Sequence, residues 1–139
     1  MDYKELMGID IPVAAAIATY GNAMKIEMVN AEFVRLFGYT EQEIWQTGIE
    51  KLISGKDIYL LEETVAQAIR GKHAADQEVR IQHKDHTFFW VQVRCSLLAY
   101  KNALPQLIFL FWDIHEQKSG ELEQRLLTQK YEMMEELSR

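Results

Sequence analysis

Residues 87–100 alternate between two kinds of side chain, and this pattern limits the possible folds more than any other feature of the sequence. A period of two residues is typical of a β-strand that buries one face against a core. The predicted inward side chains are Phe89, Val91, Val93, Cys95 and Leu97, and the outward ones are Phe88, Trp90, Gln92, Arg94 and Ser96. Turn signals lie on both sides, at Lys84-Asp85 and Lys101-Asn102. The segments beyond these turns, residues 77–83 and 107–112, are therefore predicted to be strands of the same antiparallel sheet.

The N-terminal part of the chain predicts two more strands, at residues 12–20 and 24–29. Gly21-Asn22 separates them and favours a turn, so the pair is predicted to form a hairpin. The first strand is rich in small residues.

Helical signals fill the region between these two groups of strands. Asn30 is a good N-cap and Gly38 a good helix stop, while Thr40 and Glu43 have the spacing of a capping box. The predicted helical segments are residues 31–37, residues 40–45, a single turn at residues 48–53, and a longer helix that Asp57 caps and that ends before Gly71. The order β-β-α-α-α-β-β-β indicates an α+β domain with one antiparallel sheet.

The last 25 residues, 115–139, predict one further helix that begins directly after the final strand. Asp113 and Glu116 have capping-box spacing. Four apolar residues then follow at spacings of four, seven and four, which fits a coiled-coil seam with Gln129 at one seam position: Leu122, Leu126, Met133 and Leu137. We therefore divide the chain into an N-terminal flank (1–11), a globular domain (12–114) and a C-terminal linker helix (115–139).

Composition excludes several classes of function. The net charge is −6 and the 15 basic residues are scattered, so a nucleic-acid surface is not expected. With a single cysteine, Cys95, the chain has neither an internal disulfide nor a multi-thiolate metal site. No apolar run approaches the roughly 20 residues that cross a bilayer. We expect a cytoplasmic domain without direct membrane contact.

Three motifs in this order resemble the PAS sensor family. They are VNAEF and LFGYTEQEI at residues 29–33 and 36–44, FWVQVR at residues 89–94, and WDIHEQK at residues 112–118. The last resembles the D-I-T-E-R-K ending of the family, with His115 in place of Thr and Gln117 in place of Arg. The resemblance covers roughly residues 10–118.

The resemblance implies a five-stranded antiparallel sheet with helices on one face, which together cup a small pocket. The candidate pocket residues are Ile17, Met28, Phe37, Leu61, Val65, Val79, Val91, Val93, Phe109 and Phe111. It also implies a non-enzymatic sensor or relay module of a bacterial-type multidomain signalling protein. Signals would pass through Asp113, Ile114 and Glu116 into the C-terminal helix, and on to a second PAS domain, a diguanylate cyclase or a histidine kinase.

This chain lacks the residues that characterise the best-known cofactor-binding PAS domains, those that bind flavin or haem. Flavin-binding LOV domains carry a reactive cysteine in a G-x-N-C-R-F-L-Q helix, whereas the comparable residues 48–53 contain none. Haem domains usually supply a histidine from the long helix, but none lies between Asp57 and Arg70, and His73 follows the helix. His83 and His86 flank a predicted turn. They could form a weak metal site, or they could simply lie at a solvated hairpin tip. No cofactor is predicted, which leaves a small organic ligand or no ligand.

Two other functions compete with sensing. A ligand-free homodimerisation scaffold would use outward aromatic residues and the tail seam: Phe88, Trp90, Leu122, Leu126, Met133 and Leu137. A small enzyme is the second alternative, but its candidates Asp57, His73 and Arg80 form no recognisable catalytic constellation.

Overall fold

The computed structural model describes residues 13–71 and 76–138 and confirms the predicted order of elements. The strands are β1 (Ala14–Tyr20), β2 (Met24–Val29), β3 (Gln77–Gln82), β4 (Phe88–Lys101) and β5 (Leu104–Asp113). The helices are α1 (Ala31–Phe37), α2 (Glu41–Thr47), a 3-10 helix (Ile49–Leu52), α3 (Ile58–Ile69) and α4 (His115–Leu137). His73 lies outside the described residues.

The five strands form one antiparallel sheet in the order β2-β1-β5-β4-β3. The first hairpin and the last three strands therefore meet through the β1–β5 pair, which places β5 at the centre of the sheet. Leu107, Phe109 and Phe111 of β5 are buried in the core, whereas Ile108, Leu110 and Trp112 on its other face are half-buried. The predicted five-stranded α+β architecture is confirmed.

Four phenylalanine rings form the centre of the core between the sheet and α1. Phe33 and Phe37 stack with their ring centroids 4.2 Å apart, and the edge of Phe111 meets Phe37 at 5.3 Å. Phe109 continues the cluster along β5, with its centroid 6.2 Å from that of Phe111. All four side chains are essentially inaccessible to solvent. Such aromatic pairs stabilise a core beyond the area that they bury.

Asn30 joins the start of α1 to β1. Its Oδ1 atom accepts hydrogen bonds from the backbone N–H groups of Phe33 at 3.0 Å and Ala15 at 2.9 Å. Its Nδ2 atom donates to the carbonyl oxygen of Val13 at 2.8 Å. Asn30 is therefore the predicted N-cap, and it also satisfies backbone groups of the neighbouring strand.

The β4–β5 hairpin contains a strained residue. Its two loop residues, Asn102 and Ala103, have φ angles of 53° and 65°, the left-handed conformation of a type I′ turn. Asparagine adopts this conformation readily, whereas alanine is destabilised there by contact between its Cβ atom and the backbone.

Substitution of Ala103 by glycine is therefore expected to raise the free energy of unfolding by about 0.5–1 kcal/mol, because the relief of strain exceeds the greater unfolded-state entropy of glycine. Urea denaturation measures this change. Ala99→Gly in strand β4 is the matched control and should destabilise the protein by a similar amount. A loss of stability in Ala103→Gly would contradict the assignment of strain to this turn.

Candidate functional site: a cleft beside helix α3 and the junction with helix α4

A cleft of about 400 Å³ lies between helix α3 and the end of the β1–β2 hairpin. Its apolar floor contains Met24, Leu61 and Val65, each less than 10% exposed. Ala66 and Ile69 of α3 are half-buried and also line it. The volume lies within the range of about 300–1,000 Å³ that is usual for small-molecule sites.

Four polar or charged residues surround this floor: Tyr20, Glu50, Glu62 and Arg70. All four are exposed. Within the part of the chain that the structure describes, their side chains make no hydrogen bond or ion pair. The cleft therefore combines a buried apolar surface with free ionic groups at its rim.

The candidate pocket residues occupy three different places. Leu61 and Val65 line the cleft, as just described. Six others are fully buried in the core and do not line it: Phe37, Val79, Val91, Val93, Phe109 and Phe111. Tyr20, Met24, Ala66 and Ile69 also line the cleft and are not among the predicted pocket residues, although Ala66 and Ile69 follow Glu62 at helical spacing on α3.

The prediction that Ile17 and Met28 face the helices is wrong. These two residues pair across β1 and β2, whereas Ala16 and Ala18 on either side of Ile17 belong to the core cluster on the helical side. The register shifts beside Ile17, and Glu27 is the extra residue in β2. Such a bulge reverses the alternation of side chains along a strand.

Asp57 connects the start of α3 to the edge strand β3. It occupies the N-cap position, but its carboxylate makes no cap hydrogen bond there. Instead it forms a two-pronged ion pair with the Arg80 guanidinium, with Oδ2···Nε at 2.9 Å and Oδ1···Nη2 at 3.0 Å. The Arg80 backbone N–H also donates to Oδ2 at 2.8 Å. The hydrogen bonds from the Arg80 side chain hold the pKa of Asp57 below its ordinary value.

The beginning of helix α4 is bonded to the backbone of strand β4. The N–H group of Ile114 donates to the carbonyl oxygen of Trp90 at 3.1 Å. The N–H group of Trp90 donates to Nδ1 of His115 at 3.2 Å. Both backbone groups of one strand residue are therefore engaged by consecutive residues at the helix start, so a displacement of β4 at this point also displaces α4.

Lys118 adds a second attachment at the end of the first turn of α4. Its ammonium group pairs with Glu78 of β3 and lies 5.5 Å from the centre of the Trp90 ring. The Arg80 guanidinium contacts the same ring at 5.3 Å. The hydrogen bond with Glu78 raises the pKa of Lys118. Charge and ring contacts thus hold the first turn of α4 against β3 and β4.

The predicted capping box at this junction does not form. Ile114, not Asp113, is the N-cap of α4, and the Ile114 side chain makes no capping hydrogen bond. The Asp113 carboxylate, at the end of β5, accepts a hydrogen bond from the backbone N–H of His115 at 2.9 Å. Asp113 therefore supports the helix start from one position earlier, and Glu116 is simply an exposed residue of the first turn.

The six residues predicted for a dimer interface have accessible surface. Phe88 is 51% exposed at the start of β4, and Trp90 is half-buried beneath Arg80 and Lys118. Helix α4 has no buried residue over its 23 residues. Its seam residues are exposed without exception: Leu122, Leu126, Met133 and Leu137.

The remaining chemical candidates are isolated side chains. Cys95 is buried, and desolvation raises the pKa of its thiol to about 12, far from the reactive thiolate form. His83 Nδ1 lies 3.7 Å from Asp85 Oδ1 at the hairpin tip.

Across residues 13–71 and 76–138, no cluster of three potential metal ligands occurs. Nor does any helix there combine the length and the hydropathy needed to cross a bilayer.

Solved structures share this fold at low sequence identity. A PAS domain from Colwellia psychrerythraea is 18% identical, with a TM-score of 0.68 over 82% of this chain and 97% of its own. An RNA-binding light-oxygen-voltage receptor is 19% identical, with a TM-score of 0.71 over 91% of this chain and 36% of its own. A sensory box histidine kinase/response regulator from Burkholderia thailandensis is 18% identical, with a TM-score of 0.63 over 86% of this chain and 91% of its own.

A comparison with curated proteins finds no match. The sequence itself matches the family model for the PAS fold over residues 26–108, from the middle of β2 to the middle of β5. This range includes the four helical segments before β3 and the long strand β4, which place the cleft and the Trp90 junction described above. The chain therefore belongs to the PAS family of sensory signalling domains.

Proposed function

We propose that this PAS domain is a sensory relay that passes a change in its β-sheet to helix α4, and through α4 to a downstream signalling domain. The observation that carries the proposal is the attachment of both backbone groups of Trp90 to the start of α4. The ion pair between Lys118 and Glu78 supports it by fixing the first turn of the helix to β3.

The ion pair between Asp57 and Arg80 extends this contact path towards the cleft. Asp57 begins α3, which lines the cleft, and Arg80 lies on β3 with its guanidinium against the Trp90 ring. A ligand that shifts α3 would therefore act on groups that contact Trp90, and Trp90 in turn contacts α4. The path is a chain of direct contacts.

We propose a histidine kinase, a diguanylate cyclase or a second PAS domain as the downstream partner, in a cytoplasmic protein of bacterial type. Two of the similar structures are described as a sensor histidine kinase PAS domain and a sensory box histidine kinase. A single free cysteine agrees with a reducing compartment. The proposal assigns no enzymatic activity to this chain.

We assign neither flavin nor haem to the domain. Some similar structures are light-oxygen-voltage proteins, but at this identity the likeness concerns the fold. The 3-10 helix Ile49–Leu52 has no cysteine for a flavin adduct, and Cys95 lies on β4 with a raised pKa. The signal is proposed to be a small organic ligand.

A chimeric kinase tests the relay. The whole chain is fused through α4 to the catalytic core of a histidine kinase, and autophosphorylation is measured. Lys118→Gln, which removes the ion pair with Glu78, is expected to change the basal activity by about twofold or more, whereas Lys130→Gln is expected to leave it unchanged. Lys130 is exposed on the same helix, and the substitution makes the same change in charge. Equal activities of both variants and the parent chimera would contradict the relay.

Asp113→Ala tests the helix start directly. Loss of the hydrogen bond from the His115 N–H group should destabilise the first turn of α4 by about 1 kcal/mol, as removal of a capping side chain does. Amide hydrogen exchange should then become about fivefold faster in that turn, and the exchange of β4 should change little. Unchanged exchange throughout α4 would show that the carboxylate does not support the junction.

A ligand-free dimerisation scaffold is the second candidate. The observation that favours it is the exposure of large apolar side chains along α4, which a second copy would cover: Leu122, Leu126, Leu127, Tyr131, Met133, Met134 and Leu137. Native mass spectrometry separates the two functions. An empty dimer favours the scaffold, and a retained small molecule favours sensing. A monomer at high concentration would contradict the dimer.

A further inference from the structure

We infer that the cleft between α3 and the β1–β2 hairpin binds a small amphipathic organic cation, with an apolar body on the cleft floor and one ammonium group at its rim. The inference rests on the proposed sensory function, because it names the chemical class of the signal. Its evidence is the pairing of a buried apolar floor with two carboxylates that have no protein partner.

The floor favours an apolar body over a purely ionic ligand. Leu61 and Val65 are only 1% and 4% exposed, and Met24 is 7% exposed, so the base of the cleft offers almost no polar group. Met24 also has a flexible, polarisable side chain that adapts to different ligand shapes. A hydrocarbon body that binds here removes its apolar surface from water, which favours binding.

The rim favours a positive charge. Glu50 and Glu62 line the cleft, and neither carboxylate has a hydrogen bond or ion pair with any residue that the structure describes. Some acidic residues of the domain are paired, such as Glu43 with Lys84 and Asp76 with Arg94, whereas exposed Glu41 has no partner among the described residues either. A cationic ligand would supply the partner that these two glutamates lack.

Tyr20 strengthens the preference for a cation. Its side chain lines the same cleft and is 40% exposed, so its ring is open to a ligand. An ammonium group over the face of a tyrosine ring is attracted by the ring quadrupole. The attraction acts on cations, whereas a carboxylate in the same position is repelled.

Arg70 limits where the ammonium group can lie. It follows Glu62 by eight positions at the end of α3, which corresponds to about 12 Å along a helix axis. The Arg70 charge therefore repels a cation more strongly at its own end of the cleft than at the Glu62 end. The ammonium group therefore belongs at the Glu62 end of the cleft, and the Arg70 end disfavours a second cationic group.

Three probes share a phenylpropyl body and differ in their polar end group, so they separate the contribution of charge to binding from that of hydrophobic contact. They are 3-phenylpropylamine, 3-phenylpropan-1-ol and 3-phenylpropionate. Isothermal titration calorimetry on the whole chain measures their affinities. We expect the amine to bind about tenfold more tightly than the carboxylate, with the alcohol between them. Equal or tighter binding of the carboxylate overturns the inference, as does the absence of binding by the amine at millimolar concentration.

Variants of the rim locate the charge. Glu62→Gln is expected to weaken amine binding about threefold, and Glu50→Gln with Glu62→Gln about tenfold, with little effect on the alcohol. Glu63→Gln makes the same charge change on the same helix without lining the cleft, and it should leave the affinity for the amine unchanged. If the double variant binds the amine as well as the wild type does, the site of the cation is not this cleft.

Ala66→Trp tests the location independently of charge. Ala66 lies in the cleft wall and is half-buried, so a large side chain there should occupy the cleft and abolish the binding of all three probes. If this variant fails to fold, the glutamine variants still decide whether the cation binds in this cleft.

Amide exchange of α4 with the amine bound separates the cation site from the proposed relay. Tight binding of the amine without any change in α4 would contradict the relay and leave the cation site intact.

Discussion

Phe111→Ala is expected to lower the free energy of unfolding by about 4 kcal/mol, the largest effect of any substitution considered for this domain. Phe111 is 1% exposed on the central strand β5. Its ring edge meets Phe33 and Phe37 at centroid distances of 5.7 and 5.3 Å, so its removal opens a cavity between the sheet and α1. Urea denaturation at neutral pH measures the loss.

Phe88→Ala is the matched control for this prediction. Phe88 is 51% exposed at the first position of β4, so the same truncation there should cost less than about 1 kcal/mol. A loss below about 2 kcal/mol in Phe111→Ala, or equal losses in the two variants, would show that the aromatic cluster is not the centre of the core.

Asn30→Ala is expected to lower the free energy of unfolding by about 3 kcal/mol. The substitution removes the N-cap of α1 and leaves the N–H groups of Ala15 and Phe33 without their acceptor. A cap to alanine substitution usually costs about 1 kcal/mol, and each buried donor left unsatisfied adds about 1–3 kcal/mol unless water reaches it. Thermal and urea denaturation should report the same loss.

Two further variants define the role of Asn30. Asn22→Ala changes an exposed turn residue and should alter stability by less than about 0.5 kcal/mol. Asn30→Asp keeps the acceptor oxygen for both N–H groups but turns a second oxygen towards the Val13 carbonyl, so its loss should lie between those of Asn30→Ala and the wild type. A cost for Asn30→Ala near that of Asn22→Ala would contradict the buried network.

Local signals were sufficient to predict the order of the elements. The caps at Asn30 and Thr40 act within three residues, and the structure shows both of their backbone hydrogen bonds. The alternation in residues 87–100 correctly predicts strand β4 and its buried face, because helices cover one face of β4 and not the other. Prediction from the residues alone therefore succeeded wherever a feature depended on near neighbours or on a long, regular pattern.

The failures have tertiary causes. Ile17 lies in a strand with apolar residues on both faces, so its pattern does not distinguish one face from the other, and the bulge at Glu27 reverses the expected side of Met28. Asp57 lies where the sequence predicts a helix cap. Its carboxylate instead pairs with Arg80, which is 23 positions away in the sequence and therefore not predictable from near neighbours. At Asp113, a shift of one residue in the helix start decides which N–H group the carboxylate reaches.

The cleft was only partly predictable for a related reason. Its lining comes from three separated segments: the β1–β2 hairpin, the 3-10 helix and α3. Leu61 and Val65 are predictable because they lie on the apolar side of a helix. Glu50, Glu62 and Arg70 look like ordinary solvated charges in the sequence, and only their common position in the structure suggests a binding role.

Hydrogen exchange of α4 in a His115→Phe/Lys118→Gln double variant is the most direct test of the link between the sheet and the exit helix. The variant removes the acceptor of the Trp90 N–H group and the ion pair with Glu78. We predict that amides in the first two turns of α4 exchange about tenfold faster than in the wild type, while Lys130→Gln leaves them unchanged. Identical exchange rates in the double variant and the wild type would contradict the coupling that the proposed relay requires.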